Sequence, residues 1–418
     1  MSEESPVALV LSGGGARGAY EVGVIAGIVE ALGASRGARG AFDIFTGTSV
    51  GAINAAYLAA HADASDLGIQ GLIDHWESLE LNKHLLVDHK GILRSFFRLP
   101  FRRRDKVEDA FAEDRAGRAI LDPAALEKLV AQGIPWARLR ENVRQGIVHA
   151  LVVSALDVAG GRTTMFADHA PNVGLHPSKD PRRLTRDEPI TSEHVLASAA
   201  IPLLFPARRL GNTYYCDGGL RFNTPISPAI RAGAEKLIVI SLLHRKTTPV
   251  LDRADLLAYP NPLFLMGKVL NALLLDPVDY DLQVLDRLNK IMGVLERTLD
   301  PSELAEFIAV LERERGTSYR RVETLVFRPS EDIGVLAGKF LREEHLEWRG
   351  TARAATFILR RARALGTSSE TDLASFLLFD GEFAKALIAL GRRDALGRAN
   401  EIRDFFGEQR RTIPPPPR

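Results

Sequence analysis

Twice within its first 60 residues this chain passes from a short apolar run, through glycines, into a helical pattern. That repetition constrains the fold more than any other feature. Residues 7–11, VALVL, run into Gly13, Gly14 and Gly15, which predicts a buried strand ending in a turn. From Gly18 to Gly33 the apolar spacing is helical, with Val22, Ile25, Ala26, Val29 and Leu32 in register. The stretch FDIFTGTS repeats the strand and sharp turn, and VGAINAAYLAAH follows as a helix of small residues. Strand–turn–helix units in succession require a mainly parallel central sheet flanked by helices, an α/β fold.

Further along, residues 63–145 are charged, helical in tendency and poor in strand signals, and read as a helical insert. The strand pattern resumes at GIVHALVVSALDV and GRTTMFADH, then at NTYYCDGGL, KLIVISLL and ETLVFRPS. After residue 331 the pattern is helical only and ends in TIPPPPR. The expected division is therefore a sheet-bearing unit over 1–330 and a helical C-terminal region over 331–418. A formal charge of +1 argues against nucleic acid as a partner. The single cysteine, Cys216, permits neither an intramolecular disulfide nor a cysteine-based metal site. MSEESPVALVL lacks the basic segment of a signal peptide, and Lys268 interrupts the longest apolar stretch, PLFLMGKVLNALLL. The expectation is a cytoplasmic protein without a membrane span.

The second turn carries Gly47, Ser49 and Gly51 in G-x-S-x-G spacing, which sets a serine on a sharp strand-to-helix turn. There its hydroxyl is exposed at a helix N-terminus, where backbone N–H groups favour developing negative charge. A nucleophilic serine needs a base. None of the ten histidines stands in a turn suited to that task. Asp217 does: it closes the apolar TYYC and is followed by Gly218 and Gly219, a sign of close backbone approach. Taken alone, Asp217 also fits a turn aspartate bonded to its own backbone. To accept a serine proton it must be made more basic, and burial beside Tyr214 and Tyr215 is the expected cause.

GGGARGAY, GTSVGA, LASAAIPLLFPA and DGG, in that order, resemble the patatin-like phospholipases over roughly residues 5–330. The resemblance implies a patatin-like α/β/α fold and a serine acyl hydrolase of lipid esters that needs no cofactor or metal. It implies Ser49 as nucleophile and Asp217 as its partner, with Gly47 and Gly51 shaping one turn and Gly218 and Gly219 the other. It further implies an oxyanion hole in the glycine loop, at Gly13, Gly14 and Gly15, with Arg17 holding the loop or the developing charge.

Gly13, Gly15 and Gly18 also fit the dinucleotide fingerprint G-x-G-x-x-G, but no acidic residue ends the next strand. RSFFRLPFRRR, residues 94–104, carries five arginines and three phenylalanines without an acid. It suits peripheral contact with anionic lipid headgroups, or equally a solvated helix whose arginines pair with Asp105, Glu108 and Asp114. Residues 261–275 read as an acyl-binding wall or a core helix. The C-terminal helices read as a module for a partner or for oligomerisation, up to a regulated lipid- or partner-binding protein with vestigial activity.

Overall fold

The computed structural model describes residues 5–36, 41–80, 123–202, 204–244, 277–316, 320–343 and 368–407. Nine strands run along them: β1 (Val7–Leu11), β2 (Ile44–Thr48), β3 (Ala150–Asp157), β4 (Thr163–His169), β5 (Arg183–Asp187), β6 (Arg208–Leu210), β7 (Thr213–Asp217), β8 (Lys236–Ile240) and β9 (Glu323–Phe327). They form one sheet in the order β5-β4-β3-β2-β1-β8-β9, with β7 paired to β3 and β6 to β7. The central pairs β3–β2, β2–β1, β1–β8 and β8–β9 are parallel, as is β4–β5. Only β3–β4, β3–β7 and β6–β7 are antiparallel. The mainly parallel sheet expected from the two opening units is present.

Thirteen helices accompany the sheet among the described residues. Before the second half of the sheet come α1 (Ala19–Arg36), α2 (Val50–Ala60), α3 (Ile69–Glu77), α4 (Ala124–Gly133) and α5 (Trp136–Arg144). Then follow α6 (Ser192–Ser198), α7 (Ile226–Arg231), α8 (Pro277–Thr298) and α9 (Pro301–Arg315). The last four are α10 (Ile333–Glu343), α11 (Ser368–Leu377), α12 (Gly381–Leu396) and α13 (Ala399–Phe405). The described parts of the expected insert, α3 to α5, are helical. Residues 94–104 and 261–275 lie outside the described residues. No helix among those described is long and apolar enough to cross a membrane.

Strand alternation explains the layers. On β1, Leu9 and Leu11 enter one core, whereas Ala8 and Val10 enter the other. Successive side chains leave a strand on opposite faces, so a strand buried on both faces must be covered twice. α7 and α8 supply Ile226, Ala229 and Leu285 to the face of Ala8. The face of Leu9 is covered by α1 and α2, and also by α11, α12 and α13. That core runs without a gap across residue 331. α1 and α12 approach so closely that Gly23 faces the carbonyl of Ile388 and Gly391 the carbonyl of Tyr20, with no room for a Cβ at either glycine.

Two strands were not expected, β5 and β6. β5, RLTRD, is a half-exposed edge strand without an apolar residue pattern, and charged edges of this kind resist pairing with other chains.

Candidate active site

Ser49 follows β2 and caps α2, with φ 55° and ψ −127°. A non-glycine residue held there carries about 1–3 kcal/mol of strain, which the surrounding packing must sustain. The flanking glycines are steric requirements. A Cβ on Gly47 would enter the carbonyl of Gly51, and one on Gly51 would lie 2.7 Å from the carbonyl oxygen of Leu11. The Ser49 N–H donates to Ser198 Oγ (2.8 Å), and the Ser198 hydroxyl donates to the carbonyl of Ser154 (2.6 Å). Ser198 thus ties the serine turn to β3 from the end of α6.

Sheet register brings the second residue to the first. β4 occupies one edge of β3 as far as Leu156, so β2 and β7 must share the other edge. On that edge Thr48, the last residue of β2, pairs with Ser154, and Asp217, the last of β7, pairs with Ala155. Two strands arriving from opposite directions therefore end tip to tip, and Ser49 and Asp217 meet. The Asp217 N–H donates to the carbonyl of Ala200 (2.9 Å), and its Oδ1 accepts from the Gly219 N–H (2.7 Å). Gly218 lies against the carbonyl of Ser154, where a side chain would not fit.

Asp217 is fully buried, and its Oδ2 makes no hydrogen bond of good geometry. Burial raises its pKa to about 7; the nearby Ser49 hydroxyl and the Gly219 amide pull the other way. Removal from water disfavours the charged form, so desolvation is the larger effect. The result is a carboxylate whose proton affinity is near neutrality, beside a serine hydroxyl.

The glycine loop lies across from this pair. Gly13 approaches Ser49 so closely that a Cβ would be 3.0 Å from that of the serine. Its N–H donates to Asn223 Oδ1 (3.0 Å), and Asn223 Nδ2 donates back to its carbonyl (3.0 Å). Gly15 has φ 57° and rests on the carbonyl of Phe376, two reasons for glycine at one position. Arg17 is buried and directed into α11. Its Nε donates to Ser375 Oγ (2.8 Å), its guanidinium stands 3.5 Å from Asp372 Oδ1, and it lies 4.1 Å over the ring of Phe376. Burial pushes the Arg17 pKa down, against the pull of Asp372 and Asp332.

A pocket with almost wholly apolar walls opens at Gly15 and Ser49 and continues between Ile53, Trp76, Leu129 and Phe205. Histidines with hydrogen bonds use them elsewhere: His61 on Tyr57, His169 on Asp187, His194 on Thr191 and His244 on Pro329. Ser198, Asn223, Glu21 and Asn54 were not singled out from the sequence. Ser198, Glu21 and Asn54 are polar residues within apolar runs, in LASAAIP, AYEVGV and GAINAAY, and Asn223 lies in the mixed turn RFNTPI. A buried polar side chain must find partners, and these four find them around the loop and the serine turn.

Ser198→Ala would leave the Ser49 amide without its acceptor and the Ser154 carbonyl without its donor. The expected loss is about 1–3 kcal/mol of stability in a denaturant titration.

A mostly parallel α/β sheet that presents a serine on a strained turn next to a buried aspartate defines the class. Residues 9–230 match the family model described as patatin-like phospholipase, more than half the chain, and the chain belongs to that family. At the level of the family, this makes it a lipid acyl hydrolase. Among solved structures it is similar to VipD from Legionella pneumophila, at 13% identity over 91% of both chains with a TM-score of 0.29. It is similar also to human GIVD cytosolic phospholipase A2 in complex with methyl gamma-linolenyl fluorophosphonate, at 12% identity and a TM-score of 0.43. That likeness covers 97% of this chain and 60% of the human one. A third, the type III effector protein ExoU, is 17% identical over 88% of this chain and 89% of that one, with a TM-score of 0.22. No curated protein matches the chain.

Proposed function

We propose that this protein cleaves lipid carboxylic esters, as a phospholipase A, lysophospholipase or esterase, with Ser49 as nucleophile and Asp217 as its base. The observation that carries this reading is the convergence of β2 and β7 at Ser154 and Ala155, which sets a buried, hydrogen-bond-poor Oδ2 beside the Ser49 hydroxyl. In the proposed cycle Asp217 takes the Ser49 proton as Oγ attacks the acyl carbonyl. The amides of Gly14 and Gly15 receive the oxyanion. The alcohol departs with the proton from Asp217, and water, deprotonated by the same carboxylate, hydrolyses the acyl-enzyme.

Preorganised donors of this kind are worth about 10²–10³ in rate each. Because the Gly13 amide already donates to Asn223 and the Arg17 guanidinium reaches into α11, these two residues brace the loop in this reading. The apolar pocket at Ser49 suits the acyl chain. Residues 1–330 contribute the reacting groups, and the C-terminal helices support them.

The test is hydrolysis of p-nitrophenyl esters of increasing chain length and of labelled phospholipid vesicles, wild type beside Ser49→Ala. Wild-type turnover falling to background in a folded Ser49→Ala protein is the expected result. Full activity in that variant overturns the reading. A fluorophosphonate is expected to label wild type at Ser49 and leave Ser49→Ala unmodified, as mass spectrometry of the intact chain would show. A chelator is expected to leave the rate unchanged, since no step calls for a metal.

A further inference from the structure

Glu21 is buried in α1, within a helical run that is otherwise almost wholly apolar, yet the proposed reaction does not use it. Its Oε1 accepts from the backbone N–H of Ser12 (2.8 Å), and its Oε2 accepts from Asn54 Nδ2 (2.9 Å). Ser12 leads into Gly13, Gly14 and Gly15. Asn54 stands on α2, the helix that Ser49 caps. One carboxylate therefore bridges the glycine loop and the helix of the nucleophile.

The donors leave little choice about what can occupy this position. Trp76 Nε1–H can only donate, and it donates to Asn54 Oδ1 (3.1 Å). That fixes the orientation of the Asn54 amide, so its Nδ2 must donate, to Glu21 Oε2 and to the carbonyl of Gly18 (3.2 Å). The Ser12 amide is likewise only a donor. Both Glu21 oxygens must then be acceptors, a demand met best by a carboxylate: a protonated acid keeps only a weak acceptor on its hydroxyl oxygen, and an amide replaces one acceptor with a donor. Burial works against this and pushes the Glu21 pKa up to about 8, with the bonds from Asn54 and Ser12 opposing the rise. Retaining an acid here against its desolvation calls for a reason.

We infer that Glu21 is a positioning residue for ester hydrolysis: by accepting from Ser12 and Asn54 it sets the glycine-loop amides against the helix that carries Ser49. The inference rests on the hydrolase reading above. Its chain of contacts also reaches the substrate pocket, because Trp76 lines it. The loop has two further anchors that Glu21 does not supply, the Ser12 hydroxyl on the carbonyl of Ile240 (2.9 Å) and Gly13 on Asn223. Loss of Glu21 should therefore misplace the loop without releasing it.

A mutant cycle at pH 8.5 tests this, with Glu21→Gln, Asn54→Asp and the double variant measured for kcat and KM on a p-nitrophenyl ester and for thermal unfolding. Glu21→Gln turns one acceptor into a donor facing Asn54, and Asn54→Asp sets two acceptors face to face. Together they restore an acceptor–donor pair and keep an acceptor for Trp76, losing only the donor to the Gly18 carbonyl. Each single variant is expected to lose about tenfold or more in kcat with KM changed less than about threefold, because a misplaced donor acts mainly in the transition state. The double variant is expected to recover at least threefold over either single one.

A folded Glu21→Gln with wild-type kcat, or a double variant no better than the single ones, overturns the inference. If Glu21→Gln does not fold, the comparison of Asn54→Asp with the double variant decides by the same criterion. Ser49→Ala, run alongside, separates the two readings. Wild type active and Ser49→Ala dead, with Glu21→Gln unaffected, overturns only the role of Glu21. A wild type inert on every ester overturns both.

Discussion

Asp217→Asn is expected to lower kcat by about 10³-fold or more while making the folded protein harder to unfold at neutral pH. The two effects have one source. In the proposed cycle Oδ2 accepts the serine proton, and an amide cannot, so the variant keeps little beyond whatever the glycine loop and the pocket contribute. Stability moves the other way because the buried carboxylate is charged at a cost. Its pKa is raised from 3.8 to about 7 on folding. The group therefore supports the fold fully below its unfolded value and loses that support as pH rises from about 4 through 7. A shift of this size amounts to at most about 4 kcal/mol between the two ends of that range. Asparagine does not titrate, so the gap in stability between variant and wild type should widen from pH 4 to 7 and then level off. Denaturant titrations of both proteins across that range would show it. Wild-type kcat/KM should fall on the acid side as Asp217 takes up its proton, which is the same ionisation read through activity. A variant that keeps its kcat would remove Asp217 from the mechanism, whatever its stability does.

Much of this site could be read from the residues because each of its turns is compressed. Gly47, Gly51, Gly13 and Gly218 stand where backbones or side chains approach too closely for a Cβ, and glycines in such settings announce themselves in a sequence. Ser49 and Asp217 were legible through those neighbours. What joins them was not. The shared edge of β3 depends on β7 entering antiparallel beyond the end of β2, a pairing between residues about 60 positions apart that no local pattern encodes. Ser198 and Glu21 were hidden for a different reason. A single polar residue in an apolar helix is compatible with a satisfied core position, and only the partners distinguish the two uses. The edge strand β5 lacks an apolar face, and so it lacks the period by which strands are recognised. The C-terminal helices were legible as helices, with Gly381–Leu396 plainly amphipathic. That their apolar face meets α1, more than 350 residues earlier, followed from nothing nearby in the sequence.

A chain that ends at residue 331 is accordingly expected to fail as a folded enzyme. It would keep every proposed reacting group, yet the face of α1 that receives α12 would be open to water, beginning with Tyr20 and Val24 opposite Gly391. Removal of residues 368–407 takes away ten large apolar side chains that are at most 7% exposed, among them Phe376, Phe383, Leu387 and Ile402. At about 1.5–3 kcal/mol for each side chain, the gross loss of burial exceeds the 5–15 kcal/mol by which domains are usually stable. The chain entropy no longer lost by those residues offsets part of this, but nothing offsets the surface uncovered on α1. The loop suffers separately. Arg17 would lose Ser375, Asp372 and the ring of Phe376, and Gly15 would lose the carbonyl it rests on. Expression of residues 1–331 should yield aggregated protein or a state with helical circular dichroism but no cooperative melt. A narrower lesion separates the two effects. Asp372→Ala keeps the apolar contacts and takes the main carboxylate from a buried guanidinium, which retains Ser375 and the weaker pull of Asp332, so the cost is expected to approach that of a broken buried pair, about 3–5 kcal/mol. It is expected to lower the melting temperature, and to lower kcat on any ester the wild type accepts. A folded, active chain of 331 residues would instead make α10 to α13 an appended module, and Arg17 would then need another account.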